Sequence, residues 1–240
     1  MLSPELSTIQ HELAAVYRLY AALARQMDPE SGLGGQLLYA GRLHPDGCRL
    51  VRAANIAGAA SLAASAEPAA LRQAVRDGVI DFLVTTLDEA LRILKNEIRK
   101  RQPVAVGVAA PPQALLAEML QRGVLPDLLP PASVLAEPAP ANPEEEAAFI
   151  AHGAQRLQAP PLSPERQFLV LEIPAAWAQR AADFDAQLLA HLAPDDHANR
   201  RWLRLSPRYL GSQARRLRSL ECGVDAASKW IDWINQLPAD

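Results

Sequence analysis

Residues 41–48 read Gly41-Arg42-Leu43-His44-Pro45-Asp46-Gly47-Cys48 and directly follow the short apolar run Gln36–Ala40. A glycine-bearing turn between a buried strand and a helix is where proteins hold phosphate. The glycines let the backbone come close, and the first N–H groups of the helix point at the anion. Gly41 and Gly47 suit that chemistry, and Leu43 and His44 would face the same cleft. Pro45 and Asp46 oppose it, because proline lacks an N–H and the aspartate puts negative charge where phosphate would sit. The segment therefore reads as an ordinary turn that has lost, or never had, a nucleotide.

The next apolar run ends Ala64-Ser65-Ala66-Glu67, near the point where an acidic residue would accept from a ribose hydroxyl. Ser65 and Glu67 are the candidates, and Glu67 beside Pro68 serves equally well as a helix start. Gly107, inside Val104–Val108, completes the residual cleft. His11, His44, His152, His191 and His197 show no HExxH spacing and no cysteine partner, so no metal site is expected. His11 and His191 read as helix-surface residues. Asp195-Asp196-His197 could bind a hard cation or relay a proton, but reads better as a polar loop. No G-x-S-x-G nucleophile is present. Arg215, Arg216 and Arg218 read as solvated helix charges.

These residues need a scaffold. Ser3-Pro4 opens a helix whose apolar residues, Ile9, Leu13, Val16, Tyr17, Tyr20 and Leu23, recur at helical spacing to about Met27, before Gly32, Gly34 and Gly35. Strands are expected at Gln36–Ala40, Ala59–Ala64, Asp81–Val84, Val104–Val108 and Asp127–Leu129. Helices are expected between them, near Arg49–Ala57, Pro68–Val75, Thr86–Lys100 and Pro111–Arg122. That alternation predicts an α/β fold with a doubly wound, mainly parallel, Rossmann-like sheet. After a proline-rich connection over 130–143, the pattern predicts helices at Glu144–Leu157, Trp177–Leu192 and Asp225–Leu237. It also predicts a sixth buried strand of the same sheet at Phe168–Ile173 and a short seventh at Arg201–Leu205. The expected organisation is one domain over 1–240, with an N-terminal helix in 1–30, the core in 36–129, and further helices and late strands in 144–240.

The chain has 240 residues and a formal net charge of −3, enough for one large α/β domain and contrary to the basic footprint of a nucleic-acid binder. Hydrophobic residues make up 50%, which excludes a disordered chain. Cys48 and Cys222 are too few for a disulfide scaffold and too far apart for a zinc motif. Lys95, Lys100 and Lys229 are the only lysines; with the abundant alanine, that reads as genome composition rather than function. The first residues lack a basic start followed by an apolar run, and no stretch reaches the ~18 apolar residues of a membrane span. A cytoplasmic protein is expected.

The central region resembles urocanase (urocanate hydratase), the NAD-dependent lyase family of histidine breakdown. The resemblance is carried by Leu38-Tyr39-Ala40-Gly41, Ala54-Asn55-Ile56-Ala57-Gly58-Ala59, Leu87-Asp88-Glu89-Ala90-Leu91, Val106-Gly107-Val108 and Arg122-Gly123-Val124-Leu125-Pro126-Asp127. Weaker echoes are Phe168–Ile173, Arg201-Trp202-Leu203-Arg204-Leu205-Ser206 and Lys229-Trp230-Ile231-Asp232. The departures fall in the loops. The family's G-L-G-G-M-G-G-A-Q-P is similar in place to residues 41–51 but has lost most of its glycines here, and the ribose-binding glutamate falls at Ser65. The family's V-G-N becomes Ala109-Ala110-Pro111. Its T-D-Q-T-S-A-H-D becomes Pro130-Pro131-Ala132-Ser133-Val134, and its catalytic cysteine falls near Pro194.

The resemblance implies a Rossmann-like domain that kept its fold and lost its site, with no catalytic residue and no cofactor expected. Residual cleft positions are Gly41, Leu43, His44, Asp46, Gly47, Ser65, Glu67 and Gly107. The expected role is binding an unknown small molecule or protein, with neither nucleic acid nor membrane as partner and a homo-oligomer possible. The alternatives are an enzyme of altered chemistry using His44, Asp46 and Asp195 or His197, and a related lyase with residual NAD binding.

Overall fold

A computed structural model describes residues 4–131, 143–158, 160, 165–211 and 216–237. The chain, read above as one domain, forms two compact units: Arg18–Ala159, and Met1–Tyr17 with Pro160–Asp240. Helix α1 (Pro4–Ala24) contributes to both.

The first unit holds a six-stranded sheet in the order β3-β4-β2-β1-β5-β6. Its strands are β1 (Leu37–Arg42), β2 (Ala60–Ala64), β3 (Phe82–Val84), β4 (Ala105–Val108), β5 (Leu128–Leu129) and β6 (Gln155–Arg156), and every pairing is parallel. The crossovers carry helices α2 (Pro45–Ala57), α3 (Pro68–Arg76), α4 (Leu87–Arg99), α5 (Pro112–Gln121) and α6 (Pro143–Ala151). This is the Rossmann-like α/β sheet that the alternation predicts.

Local signals explain the elements. Helix α4 starts with a capping box, in which the Thr86 hydroxyl accepts from the Glu89 N–H and the Glu89 carboxylate accepts from the Thr86 N–H. Helix α2 stops at Gly58, whose φ of 97° lets its N–H reach the carbonyls of Ala54 and Asn55. The central strands are buried on both faces and, apart from Ser61 and the exposed terminal Arg42, apolar, as suits a parallel sheet. On one face Leu37, Tyr39, Leu62, Val106 and Val108 pack with Leu87 and Leu94 of α4, Leu116 and Met119 of α5, and Phe149 of α6. Each such side chain contributes roughly 1.5–3 kcal/mol.

Two corrections fall in this unit. Helix α2 begins at Pro45, four residues before the expected Arg49, because proline at the first position suits a helix start. The helix expected over 144–157 ends at Ala151; Gly153, at φ 104°, turns the chain and Gln155–Arg156 pairs with β5.

The second unit holds an antiparallel pair, β7 (Arg166–Glu172) and β8 (Leu217–Gly223), in register from Arg166↔Gly223 to Glu172↔Leu217. A short 3-10 helix (Ala175–Arg180), α7 (Ala181–Ala190), α8 (His197–Tyr209) and α9 (Val224–Asn235) complete it. Phe168–Ile173 is thus no sixth strand of the main sheet; it pairs with β8, which the sequence reading missed. Arg201–Leu205 is helical rather than a strand. Asn199, Trp202, Leu203 and Ser206 are buried at helical spacing, and Asp196 caps the helix by accepting from the Asn199 N–H at 3.0 Å. The expected helix over 177–192 divides into the 3-10 turn and α7. In the core of this unit Tyr17 stacks edge-on against Trp202, with centroids 4.9 Å apart, and donates to Asn199 Oδ1 at 2.7 Å.

Candidate functional site

In an open parallel sheet, ligands sit beyond the carboxyl ends of the strands, where successive connections diverge. Here the chain leaves β1 for β2 on one side and later crosses from β4 to β5 on the other, so the divergence lies between β1 and β5. Pro130 and Pro131 follow β5 and are buried; Ala132, Ser133 and Val134 lie outside the described residues.

The β1–α2 loop begins with an irregularity in the β1–β2 register between Tyr39 and Gly41, and Gly41 takes a φ of 76° that favours glycine. Leu43 continues the ladder by donating its N–H to Ala64 O, and its side chain is buried. His44 then occupies the cap position of α2. Its Nδ1 lies 3.2 Å from Gly47 N and 2.9 Å from Arg42 O. As an unprotonated acceptor that nitrogen caps the helix; as an N–H it tethers the loop to β1. In either tautomer the ring stands over the first turn of α2. Pro45 is the first residue of the helix, and the Asp46 carboxylate at the second pairs with Arg49. A Cβ on Gly47 would overlap the Arg42 carbonyl, so this glycine serves the approach of helix to strand.

Across the cleft edge, Ser65 is buried and its Oγ accepts from the Glu67 N–H at 3.1 Å. The Glu67 carboxylate reaches back to Arg42 Nη2 at 2.8 Å, joining the ends of β1 and β2. Gly107 faces the packing: a Cβ there would lie 2.6 Å from Ile80 Cδ1, 3.3 Å from Leu71 Cδ2 and 3.5 Å from Leu43 Cδ1.

The eight candidates therefore gather at one edge; His44 bonds Gly47 and Ser65 bonds Glu67, while the carboxylates of Asp46 and Glu67 are held by Arg49 and Arg42. This differs from a pyrophosphate cradle in three respects: an imidazole at the Gly47 N–H, a proline at the first helical position and a carboxylate at the second. Arg42 is the residue that sequence reasoning missed; a charge ending an otherwise buried strand was the available signal.

The remaining candidates disperse. His11 is exposed on α1 and bonds Ser7 O at 2.7 Å. His191 closes α7 with its ring 5.3 Å from Trp233, His152 is exposed after α6, and His197 is the exposed first residue of α8. Asp195 is exposed, and Asp196 is spent on Asn199. Among the described residues no three His, Cys, Asp or Glu side chains are grouped to hold a metal ion. Cys48 is half-buried in α2, while Cys222 is buried in β8, where burial pushes its thiol above the usual value. Arg218 corrects an expectation: it is a buried strand residue whose guanidinium holds Asp185 through two bonds, Nε–Oδ1 at 2.5 Å and Nη2–Oδ2 at 2.9 Å. Arg216 is exposed and pairs with Glu172. Arg215 lies outside the described residues. No helix among the described residues is long and apolar enough to cross a membrane.

A family model for the urocanase Rossmann-like domain matches residues 13–138, just over half of the chain. The matched span contains the whole run from β1 to β5 and all eight cleft candidates. The parallel sheet described above, five of whose six strands lie in the matched span, is consistent with a Rossmann-like domain. The chain belongs to the urocanase family, through its Rossmann-like domain.

Proposed function

We propose that this urocanase-family chain acts by binding rather than by hydrating urocanate, and that its carboxyl edge does not hold NAD tightly. The observation that carries this reading is the His44 imidazole at the Gly47 N–H, on the helix terminus where a pyrophosphate would dock. The Arg42–Glu67 and Asp46–Arg49 pairs support it, because each gives a charged group of the edge a protein partner. The ligand is then a small molecule in the reshaped cleft or a protein partner. The net charge of −3 speaks against nucleic acid, and the cytoplasm is the compartment we assign.

The test is the ultraviolet absorbance of urocanate incubated with purified protein and added NAD. The expected trace matches a protein-free control. Protein-dependent consumption of urocanate overturns the proposal.

A further inference from the structure

A second concavity lies at the opposite, amino end of the same sheet, away from the cleft discussed above. It measures about 420 Å³ and is lined by Gln26, Gln36, Asp127, Leu128, Gly153 and Gln155. Gln36 precedes β1, Asp127 precedes β5 and Gln155 opens β6, and these three strands are neighbours in the sheet. Small-molecule pockets typically measure ~300–1,000 Å³ and are mostly apolar. This one is lined chiefly by polar groups, so its occupant must be hydrophilic.

Its side chains are available. Among the described residues the amides of Gln26, Gln36 and Gln155 have no hydrogen-bond partner. Asp127 uses Oδ2 to accept from the Leu37 N–H at 2.7 Å, and among the described residues Oδ1 has no partner. Three primary amides offer three carbonyl oxygens besides their N–H groups.

The charge balance sets the class of ligand. Among the described residues Asp127 is the one charged residue that lines the pocket, and no Lys or Arg does. Arg156, next to Gln155, is committed to Glu146 at 2.5 Å. Helices α1 and α6 both end two residues before a lining position, Gln26 and Gly153 respectively, which brings the negative ends of two helices to this side of the sheet. A bare metal ion would meet one free carboxylate oxygen and neutral amides, a weak set in a space far larger than an ion.

We propose that this amino-end pocket binds a small hydrophilic organic cation carrying a guanidinium or primary ammonium group, with Asp127 as counter-charge and the three glutamine carbonyls as acceptors. The site is separate from the carboxyl edge, so its test succeeds or fails whatever binds there.

The experiment is an amide-resolved NMR titration of the full chain with agmatine, with inositol as neutral probe and succinate as anionic probe. Agmatine should shift the signals of residues 36, 127, 153 and 155 saturably, and the other two should not. Gln155 lies exposed on the edge strand β6, where substitution leaves the core intact. Gln155→Lys should weaken agmatine binding about tenfold and Gln155→Glu should strengthen it. Undisturbed signals from β2 and β4 report that both variants are folded. Absence of saturable shifts, equal binding of inositol, or unchanged affinity in Gln155→Lys overturns the proposal.

Discussion

The Nδ1 atom of His44 stands 3.2 Å from the backbone nitrogen of Gly47, so the chain closes the N-terminus of α2 with a side chain of its own loop. A histidine in this place does what serine or aspartate does at an ordinary helix start. Asp46 adds a negative charge that already complements the helix dipole. An incoming anion would have to displace the first and overcome the second.

The cap gives the first prediction. His44→Ala should lower stability by about 1 kcal/mol, while His44→Ser, which restores a short acceptor, should recover most of it. Urea unfolding of the three proteins measures both. Equal stability of all three would mean the imidazole contributes nothing to α2.

Two glycines should respond differently to alanine. Gly47→Ala drives a Cβ into the Arg42 backbone, which can yield only if α2 moves away from β1. Gly107→Ala meets the far end of Ile80, which can rotate. Overpacking costs about 1–3 kcal/mol, and Gly47→Ala should fall at or above the upper end and Gly107→Ala near the lower. Melting temperatures of the two variants give the order, and the reverse order would refute it.

In the Arg218–Asp185 pair the guanidinium side chain is buried, 4% exposed, and the carboxylate side chain half-buried, 22% exposed. Removing Asp185 alone takes from the buried guanidinium the carboxylate that holds it through two bonds, at a cost of about 3–5 kcal/mol. The double variant Arg218→Met/Asp185→Leu should lose much less than the sum of the single variants. A double-mutant cycle by chemical denaturation reads the difference, and simple additivity would contradict it.

Alkali should unfold this protein through its tyrosines. Burial raises the pKa of Tyr17 and of Tyr39 above the ordinary tyrosine value of 10.0. The neutral phenol is therefore favoured in the folded state. The corresponding stability is complete below pH 10 and is lost as pH rises from there through the folded values. Tyr39→Phe should flatten the decline above pH 10. Tyr17→Phe should do the same while costing about 1–2 kcal/mol at neutral pH, because Asn199 Oδ1 loses its donor. Unfolding free energy measured across alkaline pH tests both signs.

What the sequence revealed follows from how local each signal is. The Thr86–Glu89 box and the apolar strands of the parallel sheet lie within a few residues and were readable. The Phe168–Ile173 run was readable as a strand, but its sheet depends on β8, where buried Arg218 and Ser219 break the apolar pattern. Gln155–Arg156 is two polar residues long and carries no strand signal at all. In α8 the spacing of Asn199, Trp202, Leu203 and Ser206 was present, but the alternation of Trp202, Leu203 and Leu205 with arginines imitates a short strand. At the cleft, the placing of Pro45 and Asp46 in the turn and helix start after β1 was legible, because residue type and spacing alone dictate it. The part played by His44 was not, because it depends on a side chain turning back on the helix that follows it.

Calorimetric titration of the unmodified protein with NAD tests the central claim most directly. The account predicts a dissociation constant no tighter than about 1 mM, near 4 kcal/mol of binding free energy for a large ligand. Micromolar binding that disappears when Gly41 is replaced by a bulky residue would contradict it, and would make the loop after β1 a working nucleotide site.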